Sequence, residues 1–442
     1  MMLKINRRSF IRNSALAAGG TLLADKVRGA AADYRGNALD DPSSVVVVTD
    51  EGCTTGSTIN TDILQIVADT AITVYTGIGD VGEAWISLFP GITSDSVIGI
   101  KVSLLNSSVP TNPETADAVI NGLLQMPVTG GLNPNNIIIW DRTNYDLSNA
   151  GYTINTGGTG VRCFGTNQHG VGYDYANPIN VNGVNSSPSK ILTELTDYLI
   201  NLAVLKDHSF SGATLSMKNH YGSVNNPGSL HGGYCNPYIP SLNQKIRDEL
   251  GDKQKICLID GLFGMYYGGP TGPPNFIYNG ILISEDPVAI DRIGLDILVE
   301  AGMNHSWQAS HIETASLPPY ELGNYDLALI DRIDIENPSL GVSSPEQLRP
   351  EGYDLIGNFP NPFNQSTRIS FQLERDADVR LEVFDISGCL VKRLVEGRYS
   401  PGIHSAVWDG NNSGGISAAS GAYICRLTTG GKSISRRMVL IR

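Results

Sequence analysis

Residues 40–335 alternate between two kinds of apolar pattern. Short runs, SSVVVVT (43–49), SVIGIKV (96–102), NNIIIWD (135–141), NLAVLK (201–206), KICLID (255–260) and GILIS (280–284), are apolar at consecutive positions and rich in Val and Ile. Strands buried on both faces read this way. Between them, TDILQIVADTAITVY (61–75), NPETADAVINGLLQM (112–126), SKILTELTDYLINL (189–202) and DPVAIDRIGLDILVEAG (286–302) repeat apolar residues at helical spacing. The last of these has a legible start, with Asp286 at the cap and Pro287 in the first turn. Strands alternating with helices predict an α/β domain over 40–335, built on a mostly parallel sheet.

From about residue 353 the pattern changes. VRLEVFDISGCLVKRLV, GIHSAVWDG and GAYICRLTT are short alternating runs separated by Gly, Pro, Asn and Ser turns. Such spacing predicts a small all-β, Ig-like sandwich over 353–442. The intervening 336–352, with NPSLGVSSPEQLRP, reads as a linker.

Composition adds bounds. The 442 residues are 41% hydrophobic and 17% charged, an ordinary globular balance with room for more than one domain. A net charge of −13 argues against nucleic acid or an anionic membrane as the main partner. Cys53, Cys163, Cys235 and Cys257 form no C-x-x-C pair, so no iron–sulfur motif and no zinc ribbon is announced. Cys389 and Cys425 share the C-terminal module, and their pairing stays open.

The N-terminus reads as an address. NRRSFIR (6–12) is followed by the weakly apolar NSALAAGGTLLA and the small-residue run GAAAD. This order resembles a twin-arginine export signal over 1–32, with Asn6 where Ser or Thr is usual and cleavage after Ala32. Its apolar part is shorter than the roughly 20 residues that span a bilayer. The expectation is a mature chain without a transmembrane segment, exported by the twin-arginine translocase.

Two further resemblances follow from ordered motifs. NPFNQST, VFDISGCLVKRLV, HSAVWDG, SGAYICRL and SRRMVLIR resemble the C-terminal sorting modules of type IX secretion cargo, similar to the FlgD-type Ig-like domain. That likeness implies passage through the periplasm to the cell surface or beyond, with the type IX machinery as partner. VIGIKVSLL, TNPETADAVI, NLAVLKDHSFSGATLSMKNHYGSV, LIDGLFGMYYGGPTGPP and ISEDPVAIDRIGLDIL resemble the domain of unknown function 362 family across most of 90–300. Some members of that family are joined to ferredoxin-like segments, which implies a redox setting for them.

The strand ends carry the candidate chemistry. Lys101, Asp141, Lys206 and Asp260 each close an apolar run, and open α/β sheets bind ligands beyond the carboxyl ends of their strands. His208, His220 and His231 recur at intervals of about a dozen residues, with Lys218, Asn219 and Cys235 among them, in a chain with seven His. Three imidazoles on loops suit a divalent metal such as zinc, iron or nickel, with Asp141 or Asp260 completing or orienting the set. Lys101, Lys206 and Lys218 suit a carboxylate or phosphate, and the GGPTG loop offers backbone N–H groups to the same anion. The sequence contains neither G-x-x-x-x-G-K-[ST] nor G-x-S-x-G, which lowers the standing of nucleotide binding and serine hydrolysis. Three classes stay open: a metal-dependent enzyme acting on a small anion through Lys101, Lys206, Lys218 and Asp260; a redox accessory protein; and a surface binding protein without catalysis.

Overall fold

A computed structural model describes residues 3–4, 42–105, 107–341 and 353–440, apart from 360–362, 374, 386–388 and 431. The twin-arginine motif, the cleavage site and most of the linker lie outside the described residues. The chain divides into two compact units, 1–341 and 342–442.

The first unit is built on one mixed, mostly parallel sheet. Its strands are β1 (Ser43–Thr49), β2 (Ile98–Val102), β3 (Ile137–Trp140), β4 (Arg162–Cys163), β5 (Tyr198–His208), β6 (Gly212–Thr214), β7 (Gln254–Met265), β8 (Phe276–Ser284) and β9 (Ile330–Glu336). Their order is β9-β1-β8-β7-β5-β2-β3-β4, with β6 folded back on β5. β7, β5, β2, β3 and β4 run parallel, whereas β8 is antiparallel to both β7 and β1.

Consecutive apolar residues matter because side chains alternate between the faces of a strand. Val45 and Val47 enter one core with Leu199, Ala203, Cys257 and Ile259, while Val46 and Val48 enter another with Ile200, Leu202, Ile256 and Leu258. Helices cover both faces: α1 (Thr61–Thr76), α2 (Val81–Ile86) and α3 (Pro113–Leu123) supply the second core, and α5 (Tyr238–Glu249) and α6 (Pro287–Ala301) the first. α6 begins as the sequence leads one to expect, with Asp286 Oδ1 accepting from the amides of Val288 and Ala289 at 2.8 Å each. α4 (Ser216–Asn219) is a single turn carrying Lys218.

One expected helix is absent. SKILTELTDYLINL makes only a wide turn at Ile191–Leu195, after which Thr196 is extended and β5 begins at Tyr198. Neighbours on both sides explain it: β5 fills the slot between β2 and β7, where it pairs with both and buries apolar residues on both faces, a tertiary gain that overrides helical spacing.

The second unit contains β10 (Tyr353–Phe359), β11 (Thr367–Leu373), β12 (Ala377–Asp385), β13 (Leu390–Tyr399), β14 (Gly402–Trp408), β15 (Gly421–Thr429) and β16 (Lys432–Leu440). Two antiparallel sheets, β10-β11-β14 and β13-β12-β15-β16, enclose Leu355, Ile369, Phe371, Leu381, Val383, Leu427 and Trp408. Cys389 is exposed, Cys425 is buried, and both are free thiols. No helix among the described residues is long and apolar enough to cross a membrane.

Each unit has its own buried core, so fragments 42–341 and 353–442 expressed separately are each expected to melt as one cooperative transition. A broad, non-cooperative melt of either in calorimetry would show that the units fold only together.

Candidate functional site

The parallel strands bring their carboxyl ends to one edge, and β5 runs past it. Lys101 on β2 lies level with Asn201 on β5, so the chain at Lys206 continues five residues beyond that level before turning back, with Lys206 opposite Thr214. Val204, Lys206 and His208 share one face of β5 because they are two residues apart. Lys206 and His208 face a cavity of about 260 Å³ that is also lined by Lys101, Asp141, Arg142, Lys218, Tyr221 and His231, while Val204 packs with Val109 and Met265.

The floor is a closed network. Lys101 Nζ donates to Asp141 Oδ1 at 2.8 Å, to the Val102 carbonyl at 2.7 Å and to Asn219 Oδ1 at 3.1 Å. Asp141 accepts in addition from the amides of Leu104 and Arg142, and Asn219 donates to the Lys101 carbonyl and to Asn201 Oδ1. Gly222 passes directly over this pair; a Cβ there would lie 2.6 Å from Asp141 Oδ1 and 2.7 Å from Lys101 Nζ.

Asp291 positions KNHYG. Its buried carboxylate accepts from the amides of Ser216 and Met217 at 2.7 and 3.0 Å, closing the open N-terminus of α4. Helical phase then sorts the motif. Lys218 and Tyr221, three residues apart, face the cavity together, and Nζ sits 4.0 Å from the Tyr221 ring centroid. His220, two residues from Lys218, faces elsewhere: its ring nitrogens meet Ser223 Oγ at 3.0 Å and Gln254 Oε1 at 2.8 Å.

The expected three-histidine set is therefore not assembled. His208 and His231 stack at 5.6 Å, but both nitrogens of His220 are already engaged with the protein. Among the described residues no group of three or more His, Cys, Asp or Glu side chains is placed to hold a metal ion. Asp260 also stands apart. Its Oδ2 accepts from the amide and side chain of Asn112 and from Thr115 Oγ1, and its Oδ1 from the Leu262 amide, so it caps α3 rather than facing the cavity. The GGPTG loop contributes Pro270 to the lining.

Two imidazoles have defined protons. His231 Nδ1 is 2.9 Å from the Pro227 carbonyl, which only accepts, so Nδ1 carries the proton and Nε2 faces Lys218 Nζ at 3.4 Å. His208 Nδ1 accepts from the amides of Phe210 and Ser211, which leaves its proton on Nε2.

Residues 98–296 match the family model described as domain of unknown function (DUF362), and residues 358–432 match the FlgD Ig-like domain. The chain carries a DUF362 domain and a FlgD Ig-like domain. No curated protein matches it. Solved structures similar to parts of it include latent PorU from Porphyromonas gingivalis, 22% identical over 20% of this chain and 9% of that one, with a TM-score of 0.18. PorZ, described as a surface component of the type IX secretion system of Porphyromonas gingivalis, is 22% identical over 19% of this chain and 11% of that one, with a TM-score of 0.16. FlgD from P. aeruginosa is 26% identical over 17% of this chain and 59% of that one, with a TM-score of 0.15. This chain thus spans about a tenth of the PorU and PorZ chains.

Four further residues of the first unit bear on the site, of which the sequence reading named Asn219 alone. Arg142, directly after Asp141, lines the cavity, and its buried Nε lacks an acceptor among the described residues. Tyr221 and Asn219 hold Lys218 and Lys101, as described. His311 is fully buried with Nδ1 unpartnered, and burial, with the charge of Lys218 beside it, pushes its pKa down to about 3. Asn219 and Tyr221 had their signal in the KNHYG block and Arg142 in its place beyond a strand end, whereas His311 had none.

Burial also governs the lysines. It lowers Lys206 to about 8; Asp141 opposes the shift, and the charges of Lys218 and Lys101 add to it. Burial lowers Lys218 to about 8 as well. Among the described residues neither has a carboxylate within ion-pair distance. Burial takes His208 down to about 2, so the imidazole is neutral.

Both lysines lose their protons in the native state before the unfolded state does, so the unfolded state binds more protons above pH 8 and this contribution to stability rises with pH there. Denaturation midpoints of the wild type should therefore gain on those of Lys206→Met as pH increases through about 8. A constant difference across that range would mean that Lys206 keeps its usual affinity for protons.

Proposed function

We propose that the DUF362 domain binds a small anionic molecule in the Lys206–Lys218 cavity and acts on it as an enzyme. One observation carries this reading: two buried lysine side chains open on one cavity, neither with a carboxylate within ion-pair distance among the described residues. Such an arrangement is unfavourable in the empty protein, because each charge has lost its water and gained no counter-ion. An anion restores the balance. Arg142 supports it, since a guanidinium with an unused Nε recognises carboxylate or phosphate. The leading sequence expectation is kept in its anionic substrate and in Lys206 and Lys218, while Lys101 becomes a fixed part of the floor.

The test joins stability to binding. Lys218→Met should weaken malonate or phosphate binding, measured by calorimetry at low salt, about tenfold or more, the effect of one charge-assisted hydrogen bond. The same variant should melt at or above the wild-type temperature, because it removes an uncompensated buried charge. A lower melting temperature with anion binding intact would overturn the reading.

The same proposal places the domain outside the cytoplasm. NRRSFIR supports twin-arginine export, and the FlgD Ig-like domain with its ordered motifs supports sorting by type IX secretion to the cell surface. Replacing Arg7 and Arg8 by Lys should retain folded protein in the cytoplasm on fractionation. Undiminished periplasmic protein from that variant would remove the twin-arginine route.

A further inference from the structure

The three lysines of the cavity differ in what surrounds each nitrogen, and the difference separates their chemistry. Lys101 Nζ has three acceptors, the Asp141 carboxylate, the Val102 carbonyl and the Asn219 side-chain oxygen, which use all three protons of an ammonium and leave no electron pair. Lys218 Nζ lies between the Nε2 lone pair of His231 and the π face of Tyr221, both of which favour the cation. Among the described residues Lys206 Nζ has one acceptor, the Val109 carbonyl at 3.2 Å. One N–H held by a carbonyl is the coordination of a neutral amine whose electron pair is not used by the protein. Its stem is fixed as well, because Val109, Val204 and Met265 pack as a small buried cluster around the strand at this point.

We infer that Lys206 is a nucleophilic amine that forms an imine with a small 2-oxo acid, whose carboxylate is held by Lys218 and Arg142. The inference rests on the anion-binding reading and adds the reacting bond to it. Its position over the cavity with an unused electron pair makes Lys206 the one placed to react, and neighbouring cations and burial are the established means of keeping an amine free at moderate pH. His208 lies two residues further on the same face of β5, and its Nε2–H has no protein acceptor among the described residues. A neutral imidazole donating from Nε2 stabilises an oxyanion without giving up its proton.

The atoms balance. The Lys206 electron pair forms a bond to the carbonyl carbon, the π pair moves to oxygen, and His208 donates a hydrogen bond to that oxyanion. A proton passes from the new C–N nitrogen to the oxygen, giving a carbinolamine. The hydroxyl leaves as water with a proton from the Lys218 ammonium, the nitrogen's electron pair forms the C=N bond, and the resulting iminium returns its proton to Lys218. The net change is amine plus ketone to imine plus one water, with no oxidant or reductant.

The experiment traps the imine on the full chain. Purified protein is incubated with pyruvate or glyoxylate and sodium cyanoborohydride, and the reduced adduct is located by peptide mass mapping, with malonate as competitor. The expected result is one adduct per chain on Lys206, suppressed by malonate and lost in Lys206→Arg. Mapping on the wild type stands even where the variant does not fold. An adduct absent, or scattered over exposed lysines, with malonate still bound overturns the imine and leaves the anion site. Failure of malonate to bind overturns both.

Discussion

The buried pair of Lys101 and Asp141 is the interaction on which the site depends. It joins the ends of β2 and β3 and, through Asn219, fastens the KNHYG turn to both. Every oxygen and proton of the pair is used: Asp141 also holds the amides of Leu104 and Arg142, and Lys101 also holds the Val102 carbonyl. Full satisfaction is what makes a buried ion pair tolerable, and removal of one partner from such a pair typically costs about 3–5 kcal/mol. The floor is charge-neutral. Lys206, Lys218 and Arg142 line the cavity above it with no ion pair among the described residues.

A rigid frame is needed to hold uncompensated charges in place. Two apolar cores on opposite faces of the sheet provide it, and the strands that carry the site are fixed in register by pairing on both sides. β5 is the element most used: its first half is core, while its second half extends beyond the neighbouring β2 and carries Lys206 and His208 over the cavity. The carboxylates near the site have positional duties. Asp260, Asp286 and Asp291 each close the start of a helix, and burial raises the pKa of all three. The DPVAID block is thus two helix caps, one for its own helix and one for the turn that presents Lys218.

Several features were legible in the chain. Apolar runs marked β1, β2, β3, β7 and β8, because burial on both faces leaves an unbroken sequence of Val and Ile. The ends of those runs marked Lys101, Asp141 and Lys206 as residues at one edge, since parallel strands share a direction. Asp260 sits at a strand end too, yet its side chain is taken up by Asn112 and Thr115, residues over a hundred positions away that no local pattern connects to it. SKILTELTDYLINL has helical spacing and became turn and strand, because its neighbours in the sheet were decided elsewhere in the chain.

The sequence by itself determined the two-part organisation, the sheet, the edge at which the site lies and the cluster of lysines and histidines around KNHYG. Those depend on local hydrophobic period and on strand direction, which a linear pattern records. Only the tertiary structure decided which of those side chains meet. Lys218 and His220 are two residues apart, and a single helical turn sends one to the cavity and the other to Gln254. Lys101, Lys206 and Lys218 read alike as strand-end and loop cations, but among the described residues the first has three acceptors, the second one, and the third an imidazole and a ring face. A lysine's chemistry is set by the acceptors within reach of its nitrogen, and those come from segments far apart in the chain.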